Sequence, residues 1–323
     1  MLLTVLGTAT PYPRPDAPCS GYLVQSGAGA SAGAGNRVDG EPGATDSGAT
    51  DAGATDPGAT SARATNGGAT DARARDGGVT DAGTTSIWVD AGTGTLAELQ
   101  RHTALAELDA IWISHRHADH SADLLVAYYA LRFAELRPAA PIPLIGPEGL
   151  LDRLAAFLGP SSVDELPRVF DFTPMNGWGE RRVGSLTLSW GPVQHGVPAF
   201  GLTVDESPEL GGQRGADAPP ERARRLAYSG DSAPCLSLEE IAEDADLLLL
   251  ETGYSESPGR DSAEAPAHHS PDDAGRTATA ARASRLVLTH LAAGVAAADA
   301  VARASAHFSG PVTLATPGAT YLV

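Results

Sequence analysis

Within one hexapeptide, His115-Arg116-His117-Ala118-Asp119-His120, the chain places three imidazoles and a carboxylate. The run Leu108-Asp109-Ala110-Ile111-Trp112-Ile113 leads into it and reads as a buried strand. His115 and His117 are two apart, so on an extended segment both rings leave from one face. Asp119 and His120 follow where the chain turns into a helix expected over 122–129. Nitrogen and oxygen donors at this density suit two divalent metal ions, Zn2+ first, with Mn2+ or Fe2+ as alternatives. Whatever fold forms must bring a strand end, a turn and a helix start together around that cluster.

The 323 residues suffice for one large α/β domain or two ordinary ones, and a hydrophobic content of 42% supports a core. A net charge of -18 argues against broad affinity for nucleic acid or anionic membranes, while leaving room for a local pocket that takes a phosphate. Two distant cysteines, Cys19 and Cys235, give no disulfide framework. The amino terminus reads as a first strand instead of a leader, and no apolar run approaches membrane-spanning length. A cytoplasmic protein is expected.

From about residue 27 to 85 the composition shifts to Gly, Ala, Thr and Asp, with threonine at every fifth position from Thr45 to Thr70. A pentapeptide solenoid needs a large apolar residue in each coil, and only small ones occur here. The segment 27–85 therefore reads as a disordered low-complexity insertion within a single domain spanning 1–323. It lies at the tip of a hairpin whose strands are 21–24 and 86–90. Further strands are expected at 2–6, 141–145, 169–172, 186–190, 199–204, 225–228, 247–250 and 286–289. Helices are expected at 96–108, 147–158, 238–245, 272–283 and 296–307. Strands followed by alternating helices and strands predict α/β sheets covered by helices.

The ends of the apolar runs carry a second pattern. The run 186–190 leads on to His195, 226–228 to Asp231, 247–250 to Glu251 and 286–289 to His290. Ligand sites of α/β sheets lie just outside the carboxyl ends of strands. Together with His115 these make one site.

With those residues in view, the chain resembles the metallo-β-lactamase superfamily, in its ribonuclease Z-like and cyclic-nucleotide phosphodiesterase-like branch. The matching pieces are Leu6-Gly7-Thr8, Val89-Asp90-Ala91-Gly92, the hexapeptide, His195, Ser229-Gly230-Asp231 and Leu288-Thr289-His290-Leu291. The resemblance implies a four-layer αββα sandwich with a dinuclear centre between the sheets. It assigns His115, His117 and His195 to one metal, Asp119, His120 and His290 to the other, and Asp231 to both. Asp90 would orient a ligand by hydrogen bonding. Two departures from ribonuclease Z stand out. Its His-Glu-Ala-Thr motif is Leu250-Glu251-Thr252-Gly253 here, and the interval 205–224 is too short for its tRNA-gripping arm.

The function these features imply is metal-dependent hydrolysis of a small phosphodiester substrate such as a cyclic nucleotide. Asp119 would orient the nucleophile, and His269, held by Glu251, would serve the leaving oxygen, with His268 an exposed neighbour. His102 and His307 read as surface residues. The alternatives are endonucleolytic processing of tRNA 3′ ends and a non-enzymatic scaffold acting through the insertion. Relatives of this branch are often homodimers, and no membrane partner is expected.

Overall fold

The structure, a computed structural model, describes residues 1–27, 83–134, 138–207, 223–257 and 266–323. The first half of the chain builds one sheet. Strands β1 (Leu2–Gly7), β2 (Gly21–Gln25) and β3 (Ser86–Val89) run antiparallel. Strands β4 (Ala110–Trp112), β5 (Ile142–Pro147) and β6 (Phe170–Met175) then add in parallel to β3. The second half builds the other sheet. Here β7 (Gly179–Val183), β8 (Leu186–Val193), β9 (Ala199–Glu206) and β10 (Arg224–Tyr228) pair antiparallel. They are followed by the parallel strands β11 (Leu247–Thr252), β12 (Leu286–Leu291) and β13 (Val312–Leu314). The last strand, β14 (Thr320–Leu322), crosses back to pair with β1.

Alternation along the strands explains the layers. In β11, Leu247 and Leu249 face the core between the sheets, while Leu248 and Leu250 face outward. Both faces are covered, so the strand reads as an unbroken leucine run. Outside the second sheet lie α6 (Pro271–Ala280) and α7 (Ala297–Ser305), preceded in the chain by α5 (Leu236–Ile241). Ala274, Ala278, Ala300 and Ala304 pack on the outward leucines. Outside the first sheet, Leu23, Trp88 and Ile111 are covered by Leu99 of α1 (Thr95–Leu99) and by Leu124, Ala127 and Leu131 of α3 (Asp123–Phe133). Leu150 and Leu154 of α4 (Leu150–Leu158) complete that layer, and the single turn α2 (Ala118–Ser121) precedes α3. This is the expected αββα sandwich.

Two expectations are corrected. The helix over 96–108 ends at Leu99 and is followed by a short 3-10 turn at Leu105–Glu107. Its apolar anchors Leu99, Leu105 and Leu108 are spaced six and three apart, which no single helical face accommodates, and all three are buried. Strands β7, β13 and β14 are additional. β7, with the sequence Gly-Glu-Arg-Arg-Val, is an edge strand and has no apolar alternation to betray it. Apart from its first and last residues, the insertion expected at 27–85 lies outside the described residues. No helix among the described residues is long and apolar enough to cross a membrane.

Candidate metal centre

Five chain segments deliver donors to one cleft at the sheet ends. His115 follows β4 and bridges to Ala199 at the start of β9. His117 caps α2, which carries Asp119 and His120 inward, both buried. A four-residue helix leaves its carbonyls without internal partners. The loop 90–92 and Ser20 supply them: Ala91 N donates to the His120 carbonyl at 2.7 Å and Ser20 N to that of Asp119 at 3.1 Å. Gly92 makes this approach possible, since a Cβ there would stand 2.1 Å from the Asp119 carbonyl oxygen.

Two of the other donors, Asp231 and His290, arrive through local backbone distortions. Asp231 follows β10 after Gly230, whose φ of 58° is one that glycine adopts freely. His290 sits in β12 where the register with β11 slips, Glu251 facing Thr289 and Thr252 facing Leu291, and its own φ is 49°. The slip re-aims its side chain into the cleft. Asp90 is likewise at φ 55°. Such conformations cost on the order of 1–3 kcal/mol for a non-glycine residue and concentrate where a side chain must be aimed.

The donor atoms form two sets. In the first, His117 Nδ1 lies 3.0 Å from His115 Nε2 and 3.2 Å from His195 Nε2. In the second, His290 Nε2 lies 3.3 Å from His120 Nε2 and 3.4 Å from Asp119 Oδ2. Asp231 stands between them, with Oδ1 3.2 Å from His120 Nε2 and Oδ2 3.4 Å from His290 Nε2 and 3.7 Å from His115 Nε2.

The supporting hydrogen bonds decide what these nitrogens present. A neutral imidazole donates through one nitrogen and offers a lone pair at the other. Ser114 Oγ donates to Asp90 Oδ2 at 2.8 Å, so it can only accept from His115 Nδ1, at 3.0 Å. His120 Nδ1 donates to Asp90 Oδ2 at 2.8 Å, and His195 Nδ1 to the Ala267 carbonyl at 2.8 Å. The Nε2 lone pairs of His115, His195 and His120 therefore all point into the cleft. There they face one another, Asp231 and, at His117, a nitrogen with at most one proton to share. Asp231 Oδ1 and His290 Nδ1 are also buried without a hydrogen-bond partner. Converging lone pairs beside a buried carboxylate repel unless a cation lies among them. The donor set fits divalent metal ions, as the fold implies.

The electrostatics agree. Burial, and then His120, push His115 well below its ordinary pKa. Burial opposes charge on His120 too, but Asp231 and Asp90 outweigh it and hold that imidazole well above its usual value, so its Nε2 lone pair takes up a proton wherever no other cation competes for it. Against burial, His120 and His290 keep the Asp231 carboxyl well below the carboxylate range. The centre asks for positive charge beside Asp231.

One residue assignment changes. His269 is fully buried, with Nδ1 donating to the Ser232 carbonyl at 2.6 Å and Nε2 accepting from Thr277 Oγ1 at 3.0 Å. Both nitrogens are spent on holding the segment after Asp231, so His269 faces away from the cleft. Its neighbour His268, expected to be a bystander, faces in. His268 Nδ1 donates to Glu251 Oε1 at 2.9 Å and lies 3.9 Å from Asp231 Oδ2, and its ring stacks on His290 at 5.8 Å. Glu251 also accepts from the backbone of Ser232, Gly253 and His269, so it serves as a hub that fixes His268. On an extended segment two adjacent histidines point opposite ways, and a sequence offers no sign of which points inward. His102 and His307 lie outside the cleft, paired with Glu98 and Asp272.

Comparison with known proteins places this arrangement. Residues 85–291 match the family described as the beta-lactamase superfamily domain. Over 234 residues the chain is 32% identical to an uncharacterized protein of Mycobacterium tuberculosis, a match that covers 71% of this chain and 78% of that one. Over 268 residues it is 30% identical to the ribonuclease Z of Myxococcus xanthus, covering 72% and 86% of the two chains. In fold it is similar to the crystal structure of the metallo-beta-lactamase fold protein YhfI from Bacillus subtilis, with a TM-score of 0.67, 20% identity and 99% of each chain covered. The matched family segment runs from β3, which precedes Asp90, through β12, which carries His290, and so brackets the hexapeptide and Asp231 as well. The chain thus belongs to the metallo-β-lactamase superfamily, on its ribonuclease Z-like branch, and to a family of hydrolases of that fold.

Proposed function

We propose that the protein is a phosphodiesterase that hydrolyses a small phosphodiester, a cyclic nucleotide being the best candidate. The observation that carries this reading is the His268–Glu251 pair, 2.9 Å apart, at the edge of a cluster whose donors fall into two sets. His115, His117 and His195 would hold one ion and Asp119, His120 and His290 the other, with Asp231 reaching both. Bound there, two divalent ions supply positive charge for the phosphoryl oxygens and lower the pKa of a water. The chain's own groups do the rest. Asp119 orients the attacking water through its carboxylate. Glu251 takes the Nδ1 proton of His268 as a hydrogen bond, which leaves Nε2 as the end that hands a proton to the departing oxygen. The new bond joins water oxygen to phosphorus as the water's proton passes to the Asp119 carboxylate, and the P–O bond broken frees an alcohol protonated by His268.

Two features favour a small substrate. Only residues 207–223 lie between β9 and β10, where a tRNA-gripping arm would be inserted. The net charge of -18 opposes a long polyanion. The second reading, processing of tRNA 3′ ends, is favoured by the identity to the Myxococcus xanthus ribonuclease Z. Metal analysis of the purified protein, followed by assays on bis-p-nitrophenyl phosphate, cyclic AMP and precursor tRNA, separates them. Two ions per chain with turnover of the first two substrates is expected. Turnover of precursor tRNA alone would select the endonuclease. A protein without bound metal that turns over none of them would return the chain to the scaffold reading.

A further inference from the structure

Behind the second donor set stand two buried tyrosines that the proposed chemistry does not use. Tyr22 rises from β2 in the first sheet and Tyr228 from β10 in the second, 1% and 2% exposed, with their rings edge to face at 5.1 Å. Each hydroxyl reaches the opposite sheet. Tyr228 OH donates to Asp90 Oδ2 at 2.7 Å, at the end of β3. Tyr22 OH lies 2.6 Å from Thr289 Oγ1 on β12, the residue before His290. We infer that this crossed pair is a positioning device for the Asp119, His120 and His290 set, with Tyr228 acting on His120 through Asp90 and Tyr22 on His290 through Thr289.

Packing alone does not explain the hydroxyls. The two rings border a small apolar cavity with Leu3, Val24, Leu202 and Leu226, a setting that phenylalanine would fill equally well. A hydroxyl buried there costs free energy unless it is bonded. Asp90 needs the bond in turn. Its Oδ1 accepts from Ser114 N at 2.7 Å, and its Oδ2 gathers Ser114 Oγ, His120 Nδ1 and Tyr228 OH. Four donors fix the carboxylate at a left-handed backbone position, φ 55°, which aspartate adopts less readily than glycine. The first donor set draws little on this device. His195 leans on Ala267 and His117 on neither tyrosine, while His115 is linked to Asp90 only through Ser114.

The inference rests on the reading that the two sets hold two ions, and calorimetric titration of the metal-free full chain with Zn2+ tests both. His290→Ala and His195→Ala mark which binding step belongs to which set. Loss of a partner that orients a ligand typically weakens metal affinity about 10–100-fold. Tyr228→Phe should weaken the step marked by His290 about tenfold and leave the step marked by His195 within about twofold. Tyr22→Phe should weaken that same step by less. Equal weakening of both steps, or two unchanged steps whatever the thermal midpoint does, would overturn the inference. Wild-type protein that binds one ion or none would overturn the reading beneath it instead.

Discussion

His117 and His195 come to the centre from loops and keep part of their surface in solvent; His195 is secured by one backbone carbonyl, and the His117 ring meets the nitrogens of His115 and His195. His120 and His290 are sealed in the core, where Asp90 and the bulge in β12 aim them. One set is placed by the ends of strands, the other by a polar network built through the interior of both sheets. Substitutions outside the donors themselves should therefore weaken the buried set first, because a buried network loses more when one member goes unsatisfied.

Asp231 is where the two sets meet, and its removal should erase the distinction between them. Asp231→Ala is expected to drop hydrolysis to background and to lower bound metal below two ions per chain, as measured by elemental analysis. Full activity in that variant would break the comparison outright. The next largest effect belongs to His268, whose ring lies 5.0 Å from His195 and 5.8 Å from His290, between the sets. His268→Ala should cut kcat about 10²–10⁴-fold, the usual loss for a positioned acid, while metal content holds. His269→Ala should do the reverse. It leaves the Ser232 carbonyl and Thr277 hydroxyl unpaired in the core, a loss of about 1–3 kcal/mol in denaturant titration, and spares the chemical step apart from that. Asp90→Asn sharpens the asymmetry further. An amide group cannot accept from all four donors at once, and the buried set's Zn2+ affinity should fall about 10–100-fold with a smaller change in the other step.

How much of this was legible beforehand depended on whether a residue's role is local. The hexapeptide announces its chemistry because four donors share one turn, and His195, Asp231 and His290 announce theirs by following apolar runs. That helices cover the sheets follows from leucine-rich strands with alanine-rich helices between them, while the four-layer αββα order was implied by the family resemblance. What stayed hidden is pairwise and long-range. That Glu251 meets His268 and not His269 is decided by which way one extended segment faces. That Tyr22 bonds beside His290 and Tyr228 beside His120 is decided by two sheets packing face to face, across sequence separations of 267 and 138 residues. Tyrosines in an apolar strand read as core, and only their hydroxyl partners say otherwise. The break after Leu99 was hidden for a related reason, since its later leucines are buried by tertiary packing and not by a helical stripe.

The smallest expected effect concerns the insertion. Its two ends are bonded to each other, Ser26 N donating to the Thr85 carbonyl and Thr85 N to Ser26 Oγ, both at 2.9 Å. They lie at the Gln25–Ser86 end of the β2–β3 hairpin, whereas Asp90 leaves from the other end, roughly 15 Å of strand away. A four-residue turn in place of 28–82 should thus leave both donor sets untouched, with kcat/KM and both Zn2+ affinities within about twofold of the full chain. If the insertion is the unstructured tether its composition predicts, closing a loop several doublings shorter should also raise stability by about 2 kcal/mol in denaturant titration. A loss of activity on deletion would mean that the repeats reach the cleft. A deletion that keeps hydrolysis but abolishes binding to a partner in the cell would give the scaffold reading a place beside the enzyme, on the end of the sheet that the metal centre does not use.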